Sequence, residues 1–556
     1  MSRPRKPTLP GALATVVLVG LATACDPGAG TNSSATSDPP PTASSTAAPN
    51  ADAPSVVAGL DLERITISDL QHAMDTGRLS SEQLTGAYLK RIESLNPLLH
   101  AVIAVNPDAV SIARDSDDRR RAQRSRGPLE GIPVLVKDNI DTADKQPTTA
   151  GSSALLTAEP TTDAFLVGRL RAAGAVIVGK ANLSEWANFR STNQIAGWSA
   201  TGGQTRNPYV LDRSPCGSSS GSAVAAAAAL AAVTIGTETD GSIVCPASAT
   251  STVGIKPTVG LVSRSGIVPI TLRHDTAGPI ARNVADAALT LSAIYGVDPN
   301  DPDTAVAQDM LPTDYRSLLD PNSLRGKRIG IWRTGRVGID PDVDRVFDAT
   351  VARLRGLGAV VVDNVDVPNS DEVVTRDLLP AVLTEFKHDL NAYLAATPGE
   401  HPKDLTELID YNRRHADTEL AGFGQELFEM ADKTDGDLTD PTYRAHRQAA
   451  TDQARRAIDD ALTRDRLDAI VTPTEAPAPK LEYQGGGTSF ASSTRNSAMA
   501  GYPIATVPAG YARDTLPLGL SFIGTRFSDA QLIAYAYAYE QATPARKAPD
   551  YLPTLP

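Results

Sequence analysis

Residues 221–239, GSAVAAAAALAAVTIGTET, join an alanine-rich run to a run of β-branched residues that ends in a polar turn. Alanine is the strongest helix former, whereas valine, threonine and isoleucine favour strands. The stretch therefore predicts a helix followed by a buried strand. Residues 164–182 (AFLVGRLRAAGAVIVGKAN) have the same order, and residues 326–365 predict strand, helix and strand. Strands that alternate with helices indicate an α/β sheet covered by helices on both faces.

Other stretches extend this pattern along the chain. Residues 66–96 predict two amphipathic helices, each opened by a Ser or Thr cap, and residues 131–139 (GIPVLVKDN) predict a short buried strand. Residues 370–460 predict a mostly helical region that caps the sheet. We expect a single large α/β domain over residues 58–553.

The beginning of the chain has the features of a targeting segment. Residues 1–24 combine a positively charged start with a short apolar stretch, and LATAC resembles a bacterial lipobox with Cys25 as the lipidated residue. The alternative is an ordinary signal peptide that leaves Cys25 as a bystander. Residues 25–57 are rich in Ser, Thr, Pro and Ala, which predicts a disordered tether. We therefore expect an exported protein, anchored to the outer face of the cell membrane or secreted.

Composition excludes several classes of partner. The net charge of −13 argues against nucleic acid or an anionic membrane surface as the main partner. The seven histidines and three cysteines show no spacing typical of a metal site. We expect neither a metal nor a cofactor, and the sequence does not indicate the oligomeric state.

Lys137 ends the buried strand predicted within residues 131–139. Burial without a partner would lower its pKa and favour the neutral amine, which is a base. The alternative is that Lys137 reaches solvent from the strand end or pairs with Asp138.

Residues 214–225, SPCGSSSGSAVA, place several hydroxyls before the alanine-rich helix. Ser218 and Ser219 are candidates for helix caps. GSSSG also matches G-x-S-x-G, the nucleophile elbow of α/β-hydrolases, with Ser219 as nucleophile. That motif needs an apolar strand directly before it, whereas a polar loop with prolines precedes it here. We therefore reject the interpretation of GSSSG as a nucleophile elbow.

Ser242 follows the apolar strand of the opening stretch, within GTETDGSIVCPA. The consecutive N–H groups of Thr239, Asp240, Gly241 and Ser242 are candidates for an anion-binding nest that would hold a tetrahedral oxyanion. The alternative is a glycine turn with a capping serine.

Taken together, these stretches resemble the amidase signature family over residues 60–550. Its motifs occur in the family's order, and Ser218 and Ser242 have the family's spacing of 24 residues. The motif stretches are GIPVLVKDN, SPCGSSSGSAVA, GTETDGSIVCPA and GIKPTVGLVSRSGIVP. The resemblance implies a mixed sheet.

The resemblance also implies the catalytic roles. Ser242 would be the nucleophile, Ser218 a bridging serine preceded by a cis peptide bond, and Lys137 the base. Ser219 would support this relay by hydrogen bonding. The nucleophile would form an acyl-enzyme that water then hydrolyses.

This sequence departs from the family pattern beside the nucleophile. The family commonly has Gly-Gly-Ser-Ile-Arg, whereas Asp240 and Val244 stand at the first and last of these positions, and Glu238 replaces the usual aspartate. Asp240 either repels an oxyanion or points away from it. These variants resemble the bacterial peptide amidase branch, as do the stretches LSEWANFRS, SATGGQTRNPY and EFKHDLNAYL.

The resemblance implies that the protein hydrolyses a carboxamide to carboxylate and ammonia, with C-terminally amidated peptides as the expected substrates. One alternative is a broad-specificity amidase on small aryl or alkyl amides. A subunit of a tRNA-dependent amidotransferase is disfavoured because its substrate is cytosolic. A ligand-binding lipoprotein on a dead scaffold is the non-enzyme alternative, and the intact Lys137, Ser218 and Ser242 argue against it.

Cys216 and Cys245 flank the two serine motifs. We expect two buried thiols packed as small apolar side chains. The alternative is a disulfide that joins the two catalytic segments.

Overall fold

The computed structural model describes residues 53–307, 314–368, 371–481 and 493–555. The predicted signal peptide, Cys25 and the predicted tether as far as residue 52 lie outside the described residues. The described end of the tether includes strand β1, Val56–Val57, which pairs with β2, Leu60–Asp61.

The described residues form thirteen further strands. They are Val102–Val105 (β3), Pro133–Lys137 (β4), Val176–Ala181 (β5), Trp198–Ser199 (β6), Gly203–Gln204 (β7), Val233–Glu238 (β8), Val253–Lys256 (β9), Thr276–Ala281 (β10), Arg328–Ile331 (β11), Val360–Val362 (β12), Ala469–Pro473 (β13), Ile504–Ala512 (β14) and Leu516–Ile523 (β15).

The α-helices of the same ranges lie between these strands, and six of them follow one another in the region predicted to be helical. They are Ile67–Asp75 (α1), Ser81–Leu99 (α2), Ala109–Arg121 (α3), Phe165–Ala172 (α4), Ser220–Ala227 (α5), Val244–Ala249 (α6), Val284–Ile294 (α7), Pro341–Gly356 (α8), Asp371–Val373 (α9), Leu379–Ala396 (α10), Leu405–Arg414 (α11), Ala416–Glu419 (α12), Glu426–Asp432 (α13), Pro441–Asp465 (α14), Arg495–Ala500 (α15) and Asp529–Ala542 (α16).

Two of the helix predictions rest on caps that the structure contains. Thr66 caps α1 and Ser80 caps α2, and each accepts a hydrogen bond from the backbone N–H three residues later. Each of the two helices has a capping box at its N-terminus, which satisfies N–H groups that a helix otherwise leaves without acceptors. The two predicted helices within residues 66–96 are confirmed.

Eleven strands form one sheet across the described ranges, in the order β12-β11-β13-β15-β14-β9-β10-β8-β4-β5-β3. The pairs of β4 with β5 and β8, and of β11 with β12 and β13, are parallel. The pairs that involve β9, β10, β14 and β15 are antiparallel. The α/β fold with a large mixed sheet is therefore confirmed.

Buried apolar side chains lie on both faces of this sheet. One cluster packs Val134 of β4 and Ile235 of β8 with residues of α1, α4 and α7. A second cluster joins the helices of residues 371–465 to the sheet and includes Phe386, Ile458 and Ile470. The helical region therefore packs on one side of the sheet, beside helix α6.

The pairing of β4 with β8 positions the candidate site. The two strands are parallel neighbours, with Val136 opposite Ile235. The carboxyl ends of parallel strands meet at one edge of a sheet, where ligands of open α/β sheets bind. Lys137 at the end of β4 thus lies beside the turn that follows β8.

Two negative observations apply to the described ranges alone. No group of three or more His, Cys, Asp or Glu side chains in them is arranged to hold a metal ion. None of their helices combines the length and apolar character needed to cross a membrane.

Candidate active site

The side chain of Lys137 lies inside the protein, with none of its surface exposed. Its Nζ forms hydrogen bonds with Ser218 Oγ at 2.7 Å and with Thr237 Oγ1 at 2.8 Å. The alternative in which Lys137 reaches solvent or pairs with Asp138 is wrong. The carboxylate of Asp138 instead accepts hydrogen bonds from the hydroxyl and N–H of Thr149.

Burial also sets the protonation of this amine. Loss of hydration lowers the pKa of Lys137 to about 7, while the carboxylates of Asp275 and Glu238 act in the opposite direction. An ordinary lysine has a pKa of about 10.4. Above neutral pH the amine is therefore mostly uncharged and has a lone pair that can take the Ser218 proton.

Ser218 and Ser219 lie where the chain enters α5. The peptide bond between Gly217 and Ser218 is cis, as the family resemblance implies. The side chain of Ser219 does not cap α5 in the described structure. Its hydroxyl donates to the carbonyl of Thr237 at 2.9 Å and accepts the Thr237 N–H at 3.2 Å. Ser219 therefore connects its own loop to the strand end that contacts Lys137.

Ser242 lies in the turn between β8 and α6, and 7% of its surface is exposed. Its carbonyl accepts the N–H of Ser219 at 3.1 Å. This backbone hydrogen bond joins the turn that contains Ser242 to the segment that carries Ser218. The three residues assigned to catalysis by resemblance, Lys137, Ser218 and Ser242, are thus brought to one edge of the sheet.

Glu238 organises this turn from within. Its buried carboxylate accepts the N–H groups of Gly241 at 2.9 Å, Ile243 at 2.7 Å and Val244 at 3.0 Å. Burial raises the pKa of Glu238, and these hydrogen bonds and the charge of Lys256 favour the ionised form. The carboxylate thereby satisfies N–H groups at the start of α6 that the helix itself cannot.

The four predicted oxyanion donors divide into two groups. The N–H of Gly241 is committed to Glu238, so we correct its assignment as an oxyanion donor. The N–H groups of Thr239, Asp240 and Ser242 have no acceptor among the described residues. Gly241 instead supplies the turn geometry, because its φ of +83° is a conformation that glycine adopts without strain.

The Asp240 carboxylate points away from the turn's free amides. It accepts a hydrogen bond from Thr494 Oγ1 and lies 3.4 Å from Arg495 Nε. Arg495 also pairs with Asp371 at 3.2 Å. The sequence left open whether Asp240 repels an oxyanion or points away from it. The side chain points away, and Arg495 balances its charge.

Cys216 and Cys245 form a disulfide, with their Cα atoms 6.0 Å apart. The expectation of two free thiols is wrong. Cys216 precedes the Gly217–Ser218 bond, and Cys245 lies in the first turn of α6, three residues beyond Ser242. Because α5 and the turn that contains Ser242 bring these positions together, the disulfide covalently links the segment that contains Ser218 to the segment that contains Ser242.

The sequence reasoning missed three residues of the site. Thr237 binds Lys137, and Asn139 Nδ2 donates to Thr237 Oγ1 at 3.1 Å. Both lie within quoted motifs, but nothing in the motifs distinguished them. Asp275 accepts a hydrogen bond from Thr239 Oγ1 at 2.6 Å, and a lone aspartate before a strand carries no sequence signal.

Comparison with known proteins agrees with this geometry. The amidase family matches residues 83–533 of the chain. A probable amidase of Arabidopsis thaliana is 44% identical over 498 residues, which cover 88% of this chain and 92% of its own.

Solved structures are similar over the same range. The native peptide amidase from Stenotrophomonas maltophilia is 49% identical, with a TM-score of 0.83, and the match covers 87% of this chain and 98% of that chain. A peptide amidase in complex with the competitive inhibitor chymostatin is 50% identical, with a TM-score of 0.84 and coverage of 87% and 99%. The chain therefore belongs to the amidase signature family and is a hydrolase that acts on amides.

Proposed function

We propose that the protein removes ammonia from C-terminally amidated peptides through Ser242, Ser218 and Lys137. The observation that carries this proposal is the buried contact of 2.7 Å between Lys137 Nζ and Ser218 Oγ. A neutral amine in that position makes the serine hydroxyl a proton acceptor for a second serine.

The reaction proceeds in two halves. Ser242 Oγ attacks the amide carbon as its proton passes to Ser218 Oγ and the Ser218 proton passes to Lys137 Nζ. The reverse transfer protonates the amide nitrogen, the carbon–nitrogen bond breaks, and ammonia leaves an ester on Ser242. Water then attacks this ester through the same relay, which releases the carboxylic acid and restores the serine.

The tetrahedral oxygen formed in each half carries negative charge. The N–H groups of Thr239, Asp240 and Ser242, which have no acceptor among the described residues, would donate to it. Asp240 does not oppose this role, because its carboxylate lies against Thr494 and Arg495.

The substrate class is proposed on two grounds. The similarity to peptide amidases supports a peptidyl carboxamide. The segment after Ser242 is small, apolar and buried, and Val244 presents no cation to the acyl group. Ammonia is a small leaving group, so a short pocket beyond the carbonyl is sufficient. A broad amidase on small aryl amides is the second candidate.

Product analysis tests the proposal. An N-acetylated, C-terminally amidated dipeptide should yield ammonia and the intact dipeptide acid, detected by mass spectrometry. The same dipeptide with a free carboxylate is the matched control and should remain uncleaved. Free amino acids from either peptide would contradict the proposed specificity, and faster turnover of a small anilide than of the dipeptide amide would favour the broad amidase.

We also propose that the enzyme is exported and anchored through lipidated Cys25. The lipobox-like LATAC supports this proposal. The disulfide supports it independently, since disulfides persist mainly in oxidising compartments. Membrane fractionation of the full chain and of Cys25→Ser would test it, because only the wild-type chain, which retains Cys25 for lipidation, should sediment with membranes.

A further inference from the structure

The nucleophile turn extends beyond the last paired residue of its strand. Strand β8 pairs with β10 as far as Glu238, which lies opposite Thr276. Thr239 and Asp275, the next residue on each side, continue the contact through their side chains. Thr239 Oγ1 donates to Asp275 Oδ1 at 2.6 Å.

The other oxygen of Asp275 is bound from the opposite side. Asp275 Oδ2 accepts the N–H of Ile270 at 2.8 Å and the N–H of Thr271 at 3.0 Å. Asp275 is 7% exposed. One buried carboxylate therefore binds the turn of the nucleophile and the loop 270–275 together.

This loop is in turn attached to the helical region of residues 371–465. Thr271 Oγ1 donates to the carboxylate of Glu385, and the Leu272 N–H donates to Asp389 Oδ2 at 2.9 Å. Both acceptors lie on α10. The loop that carries Asp275 is thus fixed by its hydrogen bonds with α10, so Asp275 is a rigid support for Thr239.

We propose that Asp275 is a positioning residue that holds the Thr239 side chain and thereby aims the Thr239 and Asp240 amides at the reacting oxygen. The inference rests on the proposed function, because it concerns the oxyanion donors of that mechanism. These two amides flank the Cα of Thr239, so fixing its side chain fixes the direction of both. Preorganised donors stabilise the transition state because they need no reorientation as charge develops.

The chemistry of the contact favours a carboxylate at this position. Three donors, one hydroxyl and two N–H groups, meet the two oxygens of Asp275. Asparagine has one oxygen acceptor, and its NH₂ group is a donor. In Asp275→Asn the amide oxygen can keep the two loop N–H groups, but the amide NH₂ can only donate, so the hydrogen bond with Thr239 Oγ1 would be reversed and would lose its charged acceptor.

The first experiment measures kcat and KM of Asp275→Asn and Thr239→Val on an amidated dipeptide, at a pH well above 7 where Lys137 is neutral with or without the charge of Asp275. Losing one oxyanion donor costs about 10²–10³ in kcat, so we expect a loss of about tenfold to a hundredfold from misdirected donors, with KM little changed. Thr239→Ser, which restores the hydroxyl, should recover most of the activity lost in Thr239→Val. The double variant should be no worse than Thr239→Val, because without the Thr239 hydroxyl the side chain at position 275 has no hydrogen bond with the turn left to lose.

Asp286→Asn is the matched control for burial. Asp286 is also a buried carboxylate, accepts the N–H of Ile67 at 2.9 Å, and lies on α7. Burial raises the pKa of both carboxyls to about 6. Asp286→Asn should lower Tm and leave kcat near the wild-type value. Equal losses of kcat in the two asparagine variants would overturn the proposal.

A transition-state probe separates positioning from general damage. A peptide aldehyde forms a tetrahedral adduct with a nucleophilic serine, whereas the peptide acid binds only as product. Thr239→Val should weaken binding of the aldehyde by about the factor that is lost in kcat, and it should change binding of the acid little. Equal weakening of both ligands would overturn the role of Asp275, and so would a folded Thr239→Val with wild-type kcat. Both tests use Thr239→Val, so they remain decisive if Asp275→Asn fails to fold. Active Ser242→Ala would instead reject the proposed function itself.

Discussion

Lys137 Nζ lies 2.7 Å from Ser218 Oγ although 81 residues separate the two in the chain. The contact forms because Lys137 ends a strand that is parallel to β8, while Ser218 precedes the helix that leads into β8. Neither residue has an exposed side chain. A base that is buried and bound to a hydroxyl is the arrangement that a relay to a second serine requires.

The first prediction concerns the identity of the nucleophile. Ser242→Ala should abolish amide turnover, because no other hydroxyl in this turn takes its place. Ser219→Ala should leave measurable activity, since among the described residues its hydroxyl forms hydrogen bonds only with the backbone of Thr237. Labelling with a fluorophosphonate probe, followed by peptide mapping, should identify Ser242. Labelling of Ser219 instead would restore the α/β-hydrolase interpretation.

The second prediction concerns pH. Only neutral Lys137 can accept a proton, and burial lowers its pKa to about 7. The rate constant kcat/KM should therefore fall as pH drops through about 7 and reach a plateau above it. Lys137→Met should remove the base while keeping most of the volume, and near-normal turnover by this variant would contradict the relay.

Lys180→Met is the control for the loss of a buried lysine. Lys180 is equally buried, on β5, and its Nζ binds the Ile140 carbonyl and Thr148 Oγ1, both at 2.7 Å. This substitution should lower Tm, yet the remaining activity should keep its acid limb near pH 7. If the pH at which kcat/KM falls were shifted in Lys180→Met, the fall would not report the titration of Lys137.

The third prediction concerns the disulfide. The chain from residue 26 onward contains only Cys216 and Cys245, so thiol titration of that denatured, unreduced chain should find no free thiol. Reduction should expose both. Closing a loop of this length typically stabilises a protein by ~2–4 kcal/mol, so Cys245→Ser should lower the free energy of unfolding by a similar amount. Two free thiols before reduction would contradict the structure.

The fourth prediction concerns the ion pair of Arg190 with Glu185, in which both side chains are completely buried. The Arg190 guanidinium also lies 4.2 Å from the centre of the Phe423 ring, in the helical region. Arg190→Met should lower the free energy of unfolding by ~3–5 kcal/mol, because Glu185 would remain buried without its partner. Arg413→Met, which breaks an exposed pair with Glu429, should cost less than ~1 kcal/mol. Equal effects in urea denaturation would contradict this assignment.

The local pattern of the chain predicted several of its helices, although not α6, α7 or α15, and strands of the sheet that include β4, β5, β8, β11 and β12. Amphipathic spacing and caps located α1 and α2, and the runs of β-branched residues located β4, β5 and β8. These elements follow from periodicity and propensity, which act within a few residues. Strands β3, β9, β10 and β14 were not predicted. The last three contain glycine or proline, which weakens the local signal of a strand. Their antiparallel pairing depends on contacts between distant segments.

The sequence by itself determined the family and the residues proposed for catalysis, because the motifs that contain Lys137, Ser218 and Ser242 and their spacing are a property of the chain. Only the tertiary structure decided their physical state. Burial sets the pKa of Lys137, and the packing of β8 on α5 joins Cys216 to Cys245. Desolvation and pairing depend on what surrounds a side chain in space, and residues as far apart in sequence as Thr239 and Asp275 become neighbours only after the sheet has formed.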